Sequence, residues 1–184
     1  MVIELYDDTP LHRDNFLKLT REGYFDNQLF HRVIGDFMIQ GGDPNSINAY
    51  KGEMLGLGGP GYTIPAEILP NHYHKKGAIA AARKGDPVNP KKESSGSQFY
   101  IVQGRVFNKA QLDAYVQMKK HLPFTEEQTK DYTTIGGTPH LDNEYSVFGE
   151  IVEGFNVLDS IATVPVDAYN RPIKDIKYTI EVIE

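Results

Sequence analysis

Cysteine and tryptophan are both absent from this 184-residue chain. Without cysteine there is no disulfide, no thiolate metal site and no cysteine nucleophile. Compartment stays open, because a cysteine-free chain is stable in either redox environment. No apolar run approaches the roughly 18 residues of a membrane-spanning helix. The opening Met-Val-Ile-Glu-Leu-Tyr-Asp-Asp lacks the basic start and apolar middle of a secretory signal. A soluble protein without a membrane span is expected, cytoplasmic or periplasmic. A basic surplus is missing too: 25 acidic residues against 19 Lys and Arg leave a net charge of −6, which argues against a nucleic-acid partner. What is present is an ordinary balance, 40% hydrophobic and 24% charged, long enough to bury a full core without staples.

Strand and turn signals dominate the chain. Val2 to Tyr6 reads as a strand; Thr9 then offers a helix cap and Pro10 fits a first helical turn, with the helix ending at Gly23. Residues 28–34 and 37–40 are apolar-rich runs around Gly35-Asp36, the pattern of a hairpin. A glycine-rich loop follows over Pro44–Gly61. Ala78–Ala82, Gln98–Val102 and Tyr145–Val152 are further strands, and Gly154–Thr163 is a helix. Lys174–Ile183 alternates so that Ile176, Tyr178, Ile180 and Val182 share a face. Asn108–Lys120 is rich in helix formers and Pro123 stops it. Short strands with two or three helices, and no strand–helix alternation, predict a mainly β fold: a closed antiparallel eight-stranded barrel capped by two helices. One domain over 1–184 is expected, with 103–137 as an inserted helical excursion.

Three stretches carry the chemistry. Phe30 to Asp43 (Phe-His-Arg-Val-Ile-Gly-Asp-Phe-Met-Ile-Gln-Gly-Gly-Asp) sets Arg32 on one hairpin strand and Met38 and Gln40 on one face of the other. Ser94 to Ile101 places Gln98 and Tyr100 on a common face. Leu141 to Gly149 reads as turn and strand. Taken singly, each also fits a bland account: Arg32 as a surface ion-pair residue over core neighbours, and Gln98 and Tyr100 as an ordinary half-buried strand.

Together the three resemble the cyclophilin family. Phe30-His31-Arg32, Gly35, Phe37-Met38 and Gln40-Gly41-Gly42-Asp43 match the pattern around that family's essential arginine. Gly96-Ser97-Gln98-Phe99-Tyr100-Ile101 and Leu141-Asp142 with Val147-Phe148-Gly149, Val152 and Gly154 follow in the same order. Gly77 to Arg83 is similar to the bacterial form of the intervening strand, and only about 103–137 lies outside the likeness. The resemblance implies a peptidyl-prolyl cis-trans isomerase with no metal or cofactor, acting on proline-containing peptides and on unfolded or folding proteins, as a monomer. It implies that Arg32 is catalytic, that Phe37, Met38, Tyr100 and Leu141 form the proline pocket, and that Gln40 holds the substrate backbone and steadies Arg32. The main chain at Ala82 and Arg83 would pair with the residues before proline, with Gln98 lining the groove.

Departures from the family pattern are specific. Tyr145 stands for the pocket histidine and Tyr100 for a pocket phenylalanine. Arg83 replaces an asparagine and is expected to act mainly through its backbone. His140 occupies the place of the tryptophan of strong cyclosporin binders, so cyclosporin binding is expected to be weak. Family members usually carry several more residues ahead of Val2, which leaves barrel closure and compartment open.

Other signals rank lower. His72 and His74 with Glu67 suggest a metal site only faintly, and Gly56–Gly61 lacks the Lys-Ser/Thr of a phosphate loop. His31 is expected as a satisfied structural histidine, and 119–131 as a solvated charged face. A non-catalytic proline-binding module and a scaffold role for 103–137 are the rival readings.

Overall fold

In the computed structural model, which describes residues 1–119 and 122–183, the fold is mainly β with four α-helices among the described residues. The chain begins with β1 (Val2–Leu5) and α1 (Pro10–Arg21), then β2 (Gln28–Leu29), β3 (Arg32–Ile34) and β4 (Met38–Gly41). A loop leads to β5 (Thr63–Ile64), β6 (Ala78–Arg83) and β7 (Ser94–Val102). The excursion supplies α2 (Lys109–Lys119) and α3 (Glu126–Thr134), and β8 (Val147–Glu153), α4 (Phe155–Ala162) and β9 (Lys177–Tyr178) complete the chain. The expected helix over Asn108–Lys120 is α2, with Lys120 outside the described residues.

The closed eight-stranded barrel is not what forms. Seven strands make one open antiparallel sheet in the order β1-β8-β6-β7-β4-β3, with β5 added to β7, while β2 and β9 form a separate two-stranded sheet. Closure requires the last strand, or β3, to hydrogen-bond to β1 at about 4.8 Å spacing. The alternating run Lys174–Ile183 instead yields only Lys177–Tyr178, and these two residues pair with β2. Among the described residues β1 pairs only with β8 and β9 only with β2, so the two edges do not join.

Period-two alternation sorts the central strands into two faces. Ile39, Ile101 and Ile79 are cross-strand neighbours on β4, β7 and β6 and point into the main core. There they meet Phe16 and Leu19 of α1, Phe25, Phe99, Phe148 of β8 and Leu158 of α4. The opposite face carries Met38, Tyr100, Ala80, Val102 and Val147. Small residues at 78, 80 and 82 of β6 keep this second face shallow, and that is where the groove forms.

Helix α1 starts at Pro10, but Thr9 does not cap it: its hydroxyl donates to the Tyr6 carbonyl at 3.4 Å. The carboxylate of Glu67 takes that role from another part of the chain, accepting from the backbone N–H groups of Leu11 (3.0 Å) and His12 (2.9 Å). A carboxylate at a helix N-terminus satisfies orphan donors and the helix dipole together. Near the hairpin, Gly42 (φ +90°) runs so close to β7 that a Cβ there would lie 2.1 Å from the Ser97 carbonyl oxygen.

Candidate active site

The β3–β4 hairpin turns at Asp36 (φ 59°) and aligns Arg32 with Gln40 across the ladder. Gln40 is in turn opposite Tyr100 on β7, and Tyr100 opposite Ala80 on β6. Pairing register thus places a cation, an amide, an aromatic ring and a small residue in one row. A hydrogen-bond chain fixes the polar end. Arg32 Nη1 donates to Gln40 Oε1 at 3.2 Å, Gln40 Nε2 donates to Gln98 Oε1 at 3.1 Å, and Gln98 Nε2 donates to the Gly58 carbonyl at 2.8 Å. The guanidinium is therefore held by a side chain that is itself held, which restricts the directions its donors can take.

A cavity of about 170 Å³ lies beside Arg32. Phe37, Met38, Tyr100, Leu141 and Tyr145 give it an apolar wall, and Gln40, Ala82 and Arg83 complete it. Of the residues picked out from the sequence, two stand outside the lining. Gln98 joins through its bond to Gln40, and the exposed His140 lies over Phe37 with ring centroids 5.5 Å apart. The lining offers no carboxylate, imidazole or thiol.

The side chain of Arg83 is occupied within the protein, and its main chain lies on β6 beside the pocket. Its side chain is nearly buried and fully engaged, donating from Nε to the Glu144 carbonyl (2.9 Å), from Nη2 to the Glu144 carboxylate (3.2 Å) and from Nη1 to Asp86 (2.5 Å). The guanidinium carbon sits 4.5 Å from the centroid of the Tyr145 ring. A planar cation stacked on Tyr145 while forking to Glu144 fixes one wall of the pocket.

Sequence reading missed the support behind the pocket. The buried Tyr100 hydroxyl donates to His74 Nε2 at 2.9 Å, and His74 Nδ1–H donates to Asp142 Oδ1 at 3.0 Å. The His74 backbone N–H reaches the same oxygen at 2.9 Å, and the Tyr132 hydroxyl donates to Asp142 Oδ2 at 2.6 Å. Tyr132 belongs to α3, so a continuous buried chain links that helix to the floor of the pocket. Burial pushes the phenols of Tyr100 and Tyr132 well above their usual value, which keeps both as donors. The signal that could have found this was Tyr100 itself, since a phenol buried in mid-strand needs a partner. The residues weighed for metal binding serve three separate clusters. His72 contacts Asp8 (2.6 Å), His74 contacts Asp142, and Glu67 contacts His12 (2.6 Å). Among the described residues no group of three metal-binding side chains converges.

His31 is buried, at 5% exposure, and neither ring nitrogen makes a hydrogen bond of full geometry, the Leu29 backbone being its nearest polar contact of consequence. Burial pushes its pKa down to about 4, so the ring is neutral at pH 7.

The arrangement is a held guanidinium beside a small apolar pocket. Comparison with known proteins gives the family. The profile of the cyclophilin-type peptidyl-prolyl cis-trans isomerases matches residues 1–182. Relatives bearing the peptidyl-prolyl cis-trans isomerase name include one from Staphylococcus haemolyticus, 34% identical over 96% of this chain and 82% of its own length. A Streptococcus pyogenes protein named as a bifunctional phosphatase/peptidyl-prolyl cis-trans isomerase is 37% identical over all of this chain, which spans only 36% of that relative's length. A solved cyclophilin-type isomerase from Cryptosporidium parvum superposes with a TM-score of 0.65 at 29% identity, covering 95% of this chain and 85% of its own. The same protein crystallised in the presence of the dipeptide Ala-Pro gives 0.64. The chain belongs to the cyclophilin family and is an isomerase of X–Pro peptide bonds.

Proposed function

We propose that the groove at Arg32 binds X–Pro segments of folding proteins and turns them with Arg32 as the catalytic residue. Rotation of a peptide bond breaks amide resonance, a barrier of about 18–20 kcal/mol. At the twisted geometry the proline nitrogen becomes pyramidal and recovers its lone pair. A fixed cationic donor aimed there stabilises the twisted state more than either planar one, which is the requirement for catalysis. The single observation that carries this reading is the Arg32–Gln40–Gln98–Gly58 chain beside the apolar cavity. It holds the donor in place before substrate arrives. Arginine suits the task because it stays protonated and presents its donors in a rigid plane.

In this reading Phe37, Met38, Tyr100, Leu141 and Tyr145 enclose the proline ring, Gln40 and Gln98 steady the arginine and the substrate backbone, and the main chain at Ala82 and Arg83 pairs with the residues before proline. An acceleration of roughly 10⁵-fold needs about 7 kcal/mol, within reach of one desolvated cationic donor plus exclusion of water. Single-domain, monomeric action on unfolded clients and weak cyclosporin binding complete the proposal; the exposed His140 gives cyclosporin less apolar surface than an indole would. A protease-coupled assay on a short Ala-Pro peptide tests it. Fast turnover that collapses in Arg32→Ala supports the isomerase; a folded wild type with no rate above background leaves a proline-peptide binder.

A further inference from the structure

Four charged side chains are joined beside the proline pocket, and one of them is shared by two partners. Arg83 ends β6 and lines the pocket together with Tyr145. The loop that leaves it, residues 84–93, is folded around Asn89. That side chain donates to the Glu93 carbonyl (2.8 Å) and accepts from the Glu93 N–H (3.1 Å). Lys92 of the same loop has φ +54°, a left-handed conformation that a residue with a Cβ keeps only where its surroundings hold it. Its ammonium donates to Glu144 Oε2, the same oxygen that accepts from Arg83 Nη2 at 3.2 Å. The turn that presents Glu144 is bent the same way, with Asn143 at φ +62°.

Glu144 thus ties two cations, one from β6 and one from its loop, to the segment that carries Tyr145. Arg83 is left little freedom. Its side chain is 5% exposed, its Nη1 donates to Asp86 and to the Lys84 carbonyl (3.0 Å), and its guanidinium lies on the Tyr145 ring. The joint itself is open to solvent ions, because the Glu144 side chain is 43% exposed and that of Lys92 29%.

We propose that Glu144 and Lys92 are positioning residues of the isomerase. Their ion pair, acting through Arg83 on Tyr145, sets the wall against which the proline ring packs, and so makes substrate affinity depend on ionic strength. This rests on the reading that the cavity beside Arg32 receives proline. Both residues act from outside the pocket lining, so their effect falls on binding and leaves rotation of the amide to Arg32. A partly exposed ion pair changes an equilibrium by a factor of about two to five.

The test uses an uncharged peptide, acetyl-Ala-Ala-Pro-Ala-amide, so that salt does not act on attraction of the substrate itself. Titration reads Kd and exchange NMR reads the isomerisation rate, in about 0.05 M and about 1 M sodium chloride, where the screening length falls from roughly 14 Å to roughly 3 Å. In low salt, Glu144→Gln and Lys92→Gln should each weaken binding about threefold, with the saturated rate within about 1.5-fold of wild type. Lys92→Arg keeps the cation and should bind as the wild type does. High salt should bring the wild type to the Kd of Glu144→Gln. Lys109→Gln removes an exposed ion pair to Asp113 on α2 and should leave Kd unchanged. Wild-type Kd in both glutamine variants, or a shift of Tm alone, overturns the proposal and leaves the isomerase standing. The expected shifts in Kd with no isomerisation by the wild type support the positioning role and remove the isomerase reading; no binding by the wild type refutes both. If neither variant folds, the wild type decides: salt does not weaken purely apolar binding, so a Kd that rises with salt supports the ion pair and one that does not overturns it.

Discussion

Replacing Tyr132 by phenylalanine removes one oxygen atom from α3 and should be felt in the proline pocket. The Tyr132 hydroxyl donates to Asp142 Oδ2 at 2.6 Å, and both residues are buried. A hydrogen bond to a charged acceptor contributes about 1.5–3 kcal/mol, so Tyr132→Phe should destabilise the fold by roughly 2 kcal/mol. In a domain of this size that is a Tm drop of roughly 4–8 °C. Asp142 then holds His74 less firmly, and His74 is the acceptor for the Tyr100 hydroxyl. The floor of the pocket loosens, so KM for an Ala-Pro peptide should rise several-fold with a smaller change in kcat. Thr133→Ala, one residue along α3 and bonded only to carbonyls of its own helix, is the control and should shift stability by less than about 0.5 kcal/mol. Thermal unfolding and steady-state kinetics on the same samples read both effects. A Tyr132→Phe protein with wild-type Tm and wild-type KM would show that the buried chain carries no energy to the pocket.

Three further outcomes are expected. Arg83→Lys keeps the charge but loses the fork to Glu144 and the stack on Tyr145, so thermal unfolding should show a loss of about 1–2 kcal/mol and kinetics a raised KM. The His31 imidazole, pushed down to about 4 from an ordinary 6.5, stays neutral in the folded protein while the unfolded chain takes up a proton. Stability should therefore fall as pH drops from about 6.5 towards 4, by roughly 3 kcal/mol in all and roughly 2 kcal/mol by pH 5; urea unfolding at pH 7 and pH 5 reads the latter, and His31→Phe should flatten that part of the slope. His140→Trp should tighten cyclosporin binding at least tenfold, read directly by the fluorescence of the only tryptophan in the chain.

How far the sequence could be read depended on whether a feature was local. The β3–β4 hairpin was legible because Gly35-Asp36 punctuates two apolar runs, and alternation then set Arg32, Met38 and Gln40 toward one side. The same rule made Gln98 and Tyr100 neighbours. Features that depend on distant pairings were not legible. Lys174–Ile183 alternates as a strand should, yet strand formation needs a partner edge, and only Lys177–Tyr178 finds one, on β2. Alternation alone cannot reveal that, so the closed barrel was the natural but wrong extrapolation. Thr9 looked like a helix cap until Glu67, 55 or more residues away, supplied the acceptor instead. The His74–Asp142–Tyr132 chain joins three separated parts of the chain, and no spacing rule points to it.

The most direct test of the account separates binding from turning. Exchange NMR on Arg32→Ala with an Ala-Pro peptide measures the affinity and the cis–trans interconversion rate in one sample. The account predicts a rate reduced by a factor on the order of 10² or more, while Kd stays within about threefold, because the donor acts on the twisted amide and not on the planar ground states. An unchanged rate, or a rate that falls only in step with lost affinity, would contradict it.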